Sequence, residues 1–287
     1  MKPAVRSRRV FDRAFGRLDW RILTALALLI AAAWMPDVTL PRATWNYMVT
    51  FDITQSMNVE DVTLDGLPAS RLTLARAALR DALRRMPCGS KVGWSVFTDN
   101  RSFPLLLPIE VCGNYEILLS TLDNIDGRMR WANASNIGKG IYWSLQNARA
   151  MSGAHIVFIT DGQEAPPLRP GQRAMPDIAP DEIRGVGGWL IGVGGDVPSR
   201  IPKTDADGVV TGYWAADEVV QEAGLLAGRS QEHLSQLREA YLESLATQTG
   251  LGYRRLEHPA TLTRAMLDTK WAGAVTRLCV NSTPTLA

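Results

Sequence analysis

Residues 47–61 read YMVTFDITQSMNVED, and this stretch determines how the rest of the chain is interpreted. Its first five residues favour an extended strand, and that run ends in Asp52. Two hydroxyl residues, Thr54 and Ser56, follow at alternate positions. The stretch therefore predicts a buried strand with one carboxylate and two hydroxyls at its carboxyl end.

Strands and helices alternate on both sides of this stretch. Apolar runs predict strands at 45–51, 91–98, 102–110, 155–160, 188–194 and 252–258. Helical spacing of apolar residues predicts helices at 70–86, 115–123, 136–151, 230–249 and 259–267. Such alternation predicts an α/β fold with a doubly wound, mostly parallel sheet and one antiparallel edge strand.

Two long loops interrupt the alternation. Residues 163–187 are rich in proline, and residues 195–229 mix Gly, Pro and Asp around a possible short helix at 216–226. Loops of this length in a compact domain are usually functional or disordered.

A predicted hairpin contains two of the three cysteines. If residues 99–101 form its loop, paired residues have numbers summing to 200, and Cys88 lies opposite Cys112. Pro104 and Pro108 predict that the second strand is an edge strand, because proline cannot donate to a ladder. The register predicts a Cys88–Cys112 disulfide; two small buried thiols are the alternative, since a bulge would spoil the alignment.

The N-terminus combines a basic stretch with an uncharged apolar run. Residues 1–21 carry seven basic and two acidic residues, and residues 22–35 read ILTALALLIAAAWM. This pattern is typical of a signal peptide or an uncleaved signal-anchor helix, whose positive flank stays in the cytoplasm. We expect residues 1–40 to be this leader, 41–270 the folded domain and 271–287 a tail. The domain would then face the periplasm from the bacterial inner membrane, or be released there after cleavage.

Composition excludes a dedicated nucleic-acid binder. The chain of 287 residues is 46% hydrophobic and 21% charged, and its net charge is +2. Most of the basic excess lies in the leader, so the remainder is mildly acidic, which argues against a nucleic-acid binder with basic residues clustered on one face.

Polar residues gather at three predicted strand ends or helix starts. Asp52, Thr54 and Ser56 follow the first strand, Ser135 precedes a helix in the stretch NASNIG, and Asp161 closes the strand HIVFIT. In an open α/β sheet, ligands bind outside the carboxyl ends of the strands. The sequence therefore predicts that these side chains meet.

Together these residues resemble the metal-ion-dependent adhesion site (MIDAS) of the von Willebrand factor A (vWA) domain family. The resemblance covers about residues 45–267. It matches Asp-x-Ser-x-Ser with Asp52, Thr54 and Ser56, the threonine before a helix with Ser135, and the aspartate of a Thr-Asp-Gly turn with Asp161. Thr54 and Ser135 exchange one hydroxyl residue for another, so the ligand type is kept.

The resemblance implies a divalent cation, with Mg²⁺ first and Ca²⁺ or Mn²⁺ as alternatives. Hydroxyl and carboxylate oxygens are the ligands that such hard cations prefer. In the family, hydroxyls bind the ion directly, aspartates act partly through water, and a partner protein's Asp or Glu fills the open position. No catalytic motif accompanies the site, so the sequence predicts a binding protein and not an enzyme.

Within the family, the chain is most similar to the bacterial membrane-anchored branch encoded beside MoxR-type ATPases. Members of methanol-oxidation clusters are implied to help assemble periplasmic methanol dehydrogenase, including its calcium insertion. A Bat-type envelope or stress-response component is the alternative. A metal-dependent hydrolase is a third hypothesis, but no general base can be nominated for it.

Overall fold

A computed structural model describes residues 20–33, 40–151, 153–179, 185–221 and 231–277. The chain divides into two compact units, Met1–Arg42 with Thr276–Ala287, and Ala43–Val275. In the first unit, helix α1 spans Trp20–Ala33, which is 14 residues. No helix within the described ranges is both long enough and apolar enough to cross a membrane. Most of the predicted basic leader, 1–19, and residues 34–39 lie outside the described residues.

A six-stranded sheet forms the centre of the second unit, in the order β13-β8-β7-β2-β5-β6. These strands are, in the same order, Gly252–Arg255, Gly188–Gly192, His155–Thr160, Asn46–Asp52, Lys91–Thr98 and Arg101–Glu110. Every neighbouring pair is parallel except β5 and β6, which are antiparallel. The predicted α/β fold, with a mostly parallel sheet and one antiparallel edge strand, is therefore confirmed.

Eight shorter strands form four two-stranded sheets, which pair β1 with β14, β3 with β4, β9 with β12 and β10 with β11. Their bounds are Leu40–Thr44 (β1), Val62–Leu64 (β3), Leu67–Ala69 (β4), Ser199–Arg200 (β9), Pro202–Thr204 (β10), Val210–Tyr213 (β11), Leu234–Ser235 (β12) and Gly273–Arg277 (β14). The remaining helices are Arg71–Arg85 (α2), Tyr115–Asp123 (α3), Ile137–Ala150 (α4), Glu239–Thr249 (α5) and Pro259–Met266 (α6). Single 3₁₀ turns occur at Gln55–Asn58, Gly127–Met129 and Thr269–Trp271.

Helices cover both faces of the central sheet because its strands are apolar on both sides. In β7, Val157 and Ile159 join the core beneath α2, α3 and α6, whereas Ile156 and Phe158 join the core beneath α4 and α5. Successive side chains of a strand point to opposite faces, so a near-continuous apolar run needs a cover on each. This is why HIVFIT lies in the interior of the sheet.

The hairpin has a different register from the predicted one, although the disulfide is present. Its loop has two residues, so pairs near the turn, such as Phe97 with Ser102, sum to 199. Two irregularities then shift the pairing, and Val92 lies opposite Ile109. These shifts bring Cys88 and Cys112 together with Cα atoms 5.2 Å apart. The disulfide is confirmed, whereas the uniform register from which it was predicted is wrong.

Two helix predictions also need correction. The helix predicted at 230–249 begins only at Glu239, and residues 234–235 form β12 instead. Tertiary contacts override the local helical pattern there, since Leu237 N donates to Gly195 O (2.9 Å) and Arg238 N donates to Asp161 O (2.9 Å). The short helix predicted at 216–226 is a turn over 216–218, and residues 222–226 lie outside the described ranges.

Candidate metal site at the carboxyl ends of the strands

Backbone pairing brings the predicted loops together at one end of the sheet. Ile53 N donates to Phe97 O (3.1 Å), which extends the β2–β5 pairing past Asp52. Ser135 exchanges two backbone hydrogen bonds with Ala165, at 2.7 and 2.8 Å, and so joins the loop after β7. The residues that the sequence nominated are all buried: Asp52, Thr54, Ser56, Ser135 and Asp161.

Asp52 is held by neutral donors alone. Thr54 donates to its Oδ1 through the backbone N–H (3.0 Å) and through Oγ1 (2.7 Å), and Thr160 Oγ1 donates to its Oδ2 (2.6 Å). Thr54 has one hydroxyl proton, and it is donated in the hydrogen bond to Asp52. In the 3.2 Å contact between Thr54 and Ser56, the proton therefore comes from Ser56. Both hydroxyl oxygens keep a lone pair for another ligand.

Asp161 is held by a cation. Its Oδ2 accepts from Arg71 Nη1 (2.5 Å) and from Ser235 Oγ (2.9 Å), and its Oδ1 accepts from the backbone N–H of Gln163 (2.9 Å). Both members of the Arg71–Asp161 ion pair are fully buried. In a dry environment such a pair depends on its further hydrogen bonds, and these are present.

Arg71 is the functional residue that sequence reasoning missed. It binds Asp61 through Nε (2.9 Å) and Nη2 (2.5 Å), and it also donates to Ser56 O (3.3 Å) and Ser235 O (3.2 Å). Its position just after the N-cap Ser70 is one where an arginine is usually exposed. The sequence offered one signal for an ion pair with Arg71, the acidic pair Glu60-Asp61 ahead of the helix, but this signal did not indicate that Arg71 is buried.

A cavity of ≈ 250 Å³ lies over the hydroxyl residues. Thr54, Ser56 and Ser135 line it, together with Glu164 and apolar residues from two loops. Ser135 Oγ and Glu164 Oε2 are buried and have no hydrogen-bond partner within the described structure. Buried polar atoms are nearly always paired in folded proteins, so these two oxygens are available to water or to another ligand in the cavity.

Two acids at the site have raised pKa values. Burial raises the pKa of Asp52 from 3.8 to about 7, the charge of Asp161 adds to this, and the hydrogen bonds from Thr160 and Thr54 oppose it. Burial raises the pKa of Glu164 from 4.5 to about 7, against hydrogen bonds from Tyr241 and the start of α4. Within the described residues, Asp52 forms no ion pair with a basic side chain. Its negative charge therefore needs a proton or an added cation.

The residues present fit a divalent cation. The donor set of Thr54, Ser56 and Ser135 hydroxyls over the Asp52 carboxylate is made of hard oxygens, and one of these hydroxyls is an orphan. Asp161 departs from the expected pattern because Arg71 and Ser235 already occupy one of its oxygens.

Comparisons with known proteins support the fold. No protein-family model and no curated protein matched this sequence. Among solved structures, the conserved hypothetical protein BatB from Bacteroides thetaiotaomicron matches with a TM-score of 0.56 and 19% identity, covering 79% of this chain and 96% of that one. An aerotolerance-related membrane protein from Bacteroides fragilis, crystallised with multiple mutations to serines, matches with a TM-score of 0.53 and 21% identity, covering 77% and 96%.

A von Willebrand factor type A protein from Catenulispora acidiphila is also similar, with a TM-score of 0.40 and 10% identity, covering 80% of this chain and 44% of that one. With the sheet order and the helices on both faces, the BatB likeness supports a doubly wound α/β fold of the kind that the vWA resemblance predicts. At these identities, the likeness shows the fold alone.

Proposed function

We propose that this protein is a non-enzymatic protein-binding module that depends on a divalent cation. Thr54, Ser56 and Ser135 would hold the ion through hydroxyls, with Asp52 beneath them and Asp161 at the edge of the site. Mg²⁺ is the first choice, and Ca²⁺ or Mn²⁺ are alternatives. The bound ion would supply an electrophilic position for a carboxylate of a partner protein.

One observation carries the proposal. The buried Ser135 hydroxyl has no hydrogen-bond partner in the described structure, and it lines the same cavity as Thr54 and Ser56. A structural serine at a helix start would normally cap the helix, but here Asn136 does so by accepting from Lys139 N (3.3 Å). A ligand in the cavity would give the Ser135 oxygen a partner.

Titration calorimetry with Mg²⁺ and Mn²⁺ tests the ion. We expect the wild-type protein to bind, and Asp52→Ala and Thr54→Val to lose binding. Thr50→Val is the matched control, because Thr50 is also buried on β2 but its hydroxyl bonds to Ser144 (3.1 Å) and, within the described structure, to no residue of the candidate site. It should lose some stability and keep its affinity for the ion. If Asp52→Ala bound the ion as tightly as the wild-type protein does, the proposal would be contradicted.

The partner and the compartment are also part of the proposal. A role like that of MxaL, in the assembly of periplasmic methanol dehydrogenase or its calcium insertion, follows from the MoxR-associated resemblance. An N-terminal helix would attach the domain to the inner membrane, or the leader would be cleaved to release it into the periplasm. The Cys88–Cys112 disulfide supports an oxidising compartment.

A Bat-type interaction or structural role in the envelope is the second candidate, and the names of the two structural neighbours favour it. Purified metal-free methanol dehydrogenase discriminates between the two. A maturation factor should bind it in Mg²⁺ and accelerate its calcium loading, and Asp52→Ala or excess EDTA should abolish capture. A Bat-type protein should leave calcium loading unchanged.

A further inference from the structure

An insertion between β8 and β12 covers part of the candidate metal site. Its strands β10 and β11 form a hairpin, and Trp214 follows β11. The backbone N–H of Trp214 donates to Ile201 O (3.1 Å). The side chains of Ile201, Trp214 and Val219 line the cavity over the hydroxyls. The insertion therefore contributes a wall of the site, and it is not a remote surface loop.

Gln55 connects this wall to the metal loops. It is the residue between Thr54 and Ser56, and it is buried. Its Oε1 accepts from Trp214 Nε1 (2.6 Å), and its Nε2 donates to Asn133 Oδ1 (3.2 Å) and to Thr204 O (3.5 Å). The amide of Gln55 thus sets the position of the Trp214 indole relative to the hydroxyls of Thr54 and Ser56.

The lining of the cavity is partly apolar and partly polar. Pro166 and Pro167 add to the apolar residues, and Thr54, Ser56 and Ser135 are polar. Within the described structure, no Lys, Arg or His lines the cavity, and its charged members are acidic, such as Glu164. A carboxylate in this cavity would therefore need a metal ion to balance its charge, and the apolar wall needs a different kind of group.

We infer that this site recognises a peptide segment in which an acidic residue is next to a large apolar residue, in a conformation that turns both side chains towards the cavity. The acid reaches the ion, and its apolar neighbour packs against Trp214 and Ile201. The volume of ≈ 250 Å³ suits one or two side chains, since pockets for drug-sized ligands hold about 300–1,000 Å³. This inference rests on the proposed metal-dependent binding and adds the class of peptide that is bound.

Two capped tripeptides test the inference, acetyl-Leu-Glu-Leu-amide and acetyl-Gly-Glu-Gly-amide. Each is titrated in saturating Mg²⁺ into wild-type protein, Trp214→Ala and Trp131→Ala, with binding followed by NMR. Trp131 is the matched control: it is about half exposed, it packs edge-to-face on Phe103, and it does not line the cavity. Trp214→Phe, which keeps an aromatic wall without the indole N–H, is a second variant.

We expect the leucine peptide to bind wild-type protein about tenfold more tightly, as burial of one such side chain predicts. That preference should fall below about threefold in Trp214→Ala, persist in Trp131→Ala and be partly retained in Trp214→Phe. Equal affinities for the two peptides in wild-type protein, or a preference unchanged in Trp214→Ala, overturn the inference. If neither peptide binds while Mg²⁺ does, the inference is wrong and the metal site stands. If Mg²⁺ itself does not bind, the proposed function is wrong as well.

Discussion

Asp52 and Asp161 are equally buried, but they are stabilised in different ways. Asp161 contacts the guanidinium of Arg71, which is also bound by Asp61. Asp52 has only hydroxyl and amide donors, from Thr54 and Thr160. The Asp161 side of the site is therefore electrically compensated by the protein itself, and the Asp52 side is not.

In the proposed function, this difference places the added cation on the Asp52 side. Asp61 and Asp161 share the positive charge of Arg71, whereas Asp52 faces no basic side chain within the described residues. The hydroxyl of Ser135, which has no hydrogen-bond partner in the described structure, also lines the cavity. The Asp161 half is then a permanent framework, and the Asp52 half is completed by the ion.

Replacing Arg71 should have the largest effect. Arg71→Met leaves Asp61 and Asp161 buried without a cation, so we expect the free energy of unfolding at pH 7.5 to fall by about 3–5 kcal/mol. Urea denaturation followed by circular dichroism measures it.

Arg80→Met is the matched control for this prediction. Arg80 lies on the same helix and pairs with Asp123, but the two side chains are 38% and 54% exposed. Its loss should cost no more than about 1 kcal/mol, as is usual for surface pairs. Equal costs for Arg71→Met and Arg80→Met would mean that the buried framework does not stabilise the fold.

Asp52 should give the metal-free protein an unusual pH dependence. Its pKa is about 7 in the folded protein and lower when the chain is unfolded, so folding favours the protonated form. The stabilisation from this proton is fully present below about pH 4. It is lost as the pH rises through 7, and the total loss is at most about 4 kcal/mol. Denaturation in EDTA between pH 4 and 8 measures the slope.

Two additions sharpen the pH test. Asp52→Asn should remove about half of the slope, and Glu164, whose pKa is also about 7, should leave the rest with the same sign. Mg²⁺ should raise the stability of wild-type protein at pH 8 and not that of Asp52→Asn. A wild-type stability in EDTA that rises steadily to pH 8 would contradict the raised pKa of Asp52.

Asp161 and the residues of the uncompensated half could be predicted from sequence, and the partners of Asp161 could not. Asp52, Thr54 and Ser56 occupy fixed spacings after an apolar run, and Ser135 and Asp161 lie at a helix start and a strand end. Such local patterns can be recognised in a sequence because strand periodicity and turn chemistry depend on residues that are neighbours in sequence. Whether these residues bind an ion is still a prediction.

Arg71 and Ser235 were missed because their roles depend on contacts distant in sequence. Arg71 lies 90 residues from Asp161, and Ser235 lies in a segment whose helical pattern is overridden by contacts to Gly195 and Asp161. The hairpin register failed for a related reason: irregularities on both sides of Trp94 depend on the β5–β6 pairing, and the one local signal of them is Gly93.

Ser235 should be a stabilising residue without a role in ion binding. Its hydroxyl donates to Asp161 (2.9 Å) and accepts from Arg71 (2.6 Å), so Ser235→Ala removes two charge-assisted bonds. We expect a loss of about 1.5–3 kcal/mol in urea denaturation, with the Mg²⁺ affinity unchanged within about threefold. A large loss of Mg²⁺ affinity at unchanged stability would place Ser235 in the metal-binding half instead.

Ser135→Ala should have the smallest effect on stability. In contrast to Ser235→Ala, it should lower the Mg²⁺ affinity and leave the stability of the metal-free protein nearly unchanged. Ser135 is as buried as Ser235, but its hydroxyl has no partner within the described residues, so its removal breaks no hydrogen bond. In EDTA we expect the free energy of unfolding to change by less than about 0.5 kcal/mol or to rise slightly, because an unsatisfied polar group is deleted. The Mg²⁺ affinity should fall by at least about tenfold, equivalent to 1.4 kcal/mol for one lost ligand. If Ser135→Ala instead destabilises the metal-free protein as much as Ser235→Ala does, Ser135 already has a partner, and the contrast between the two halves fails.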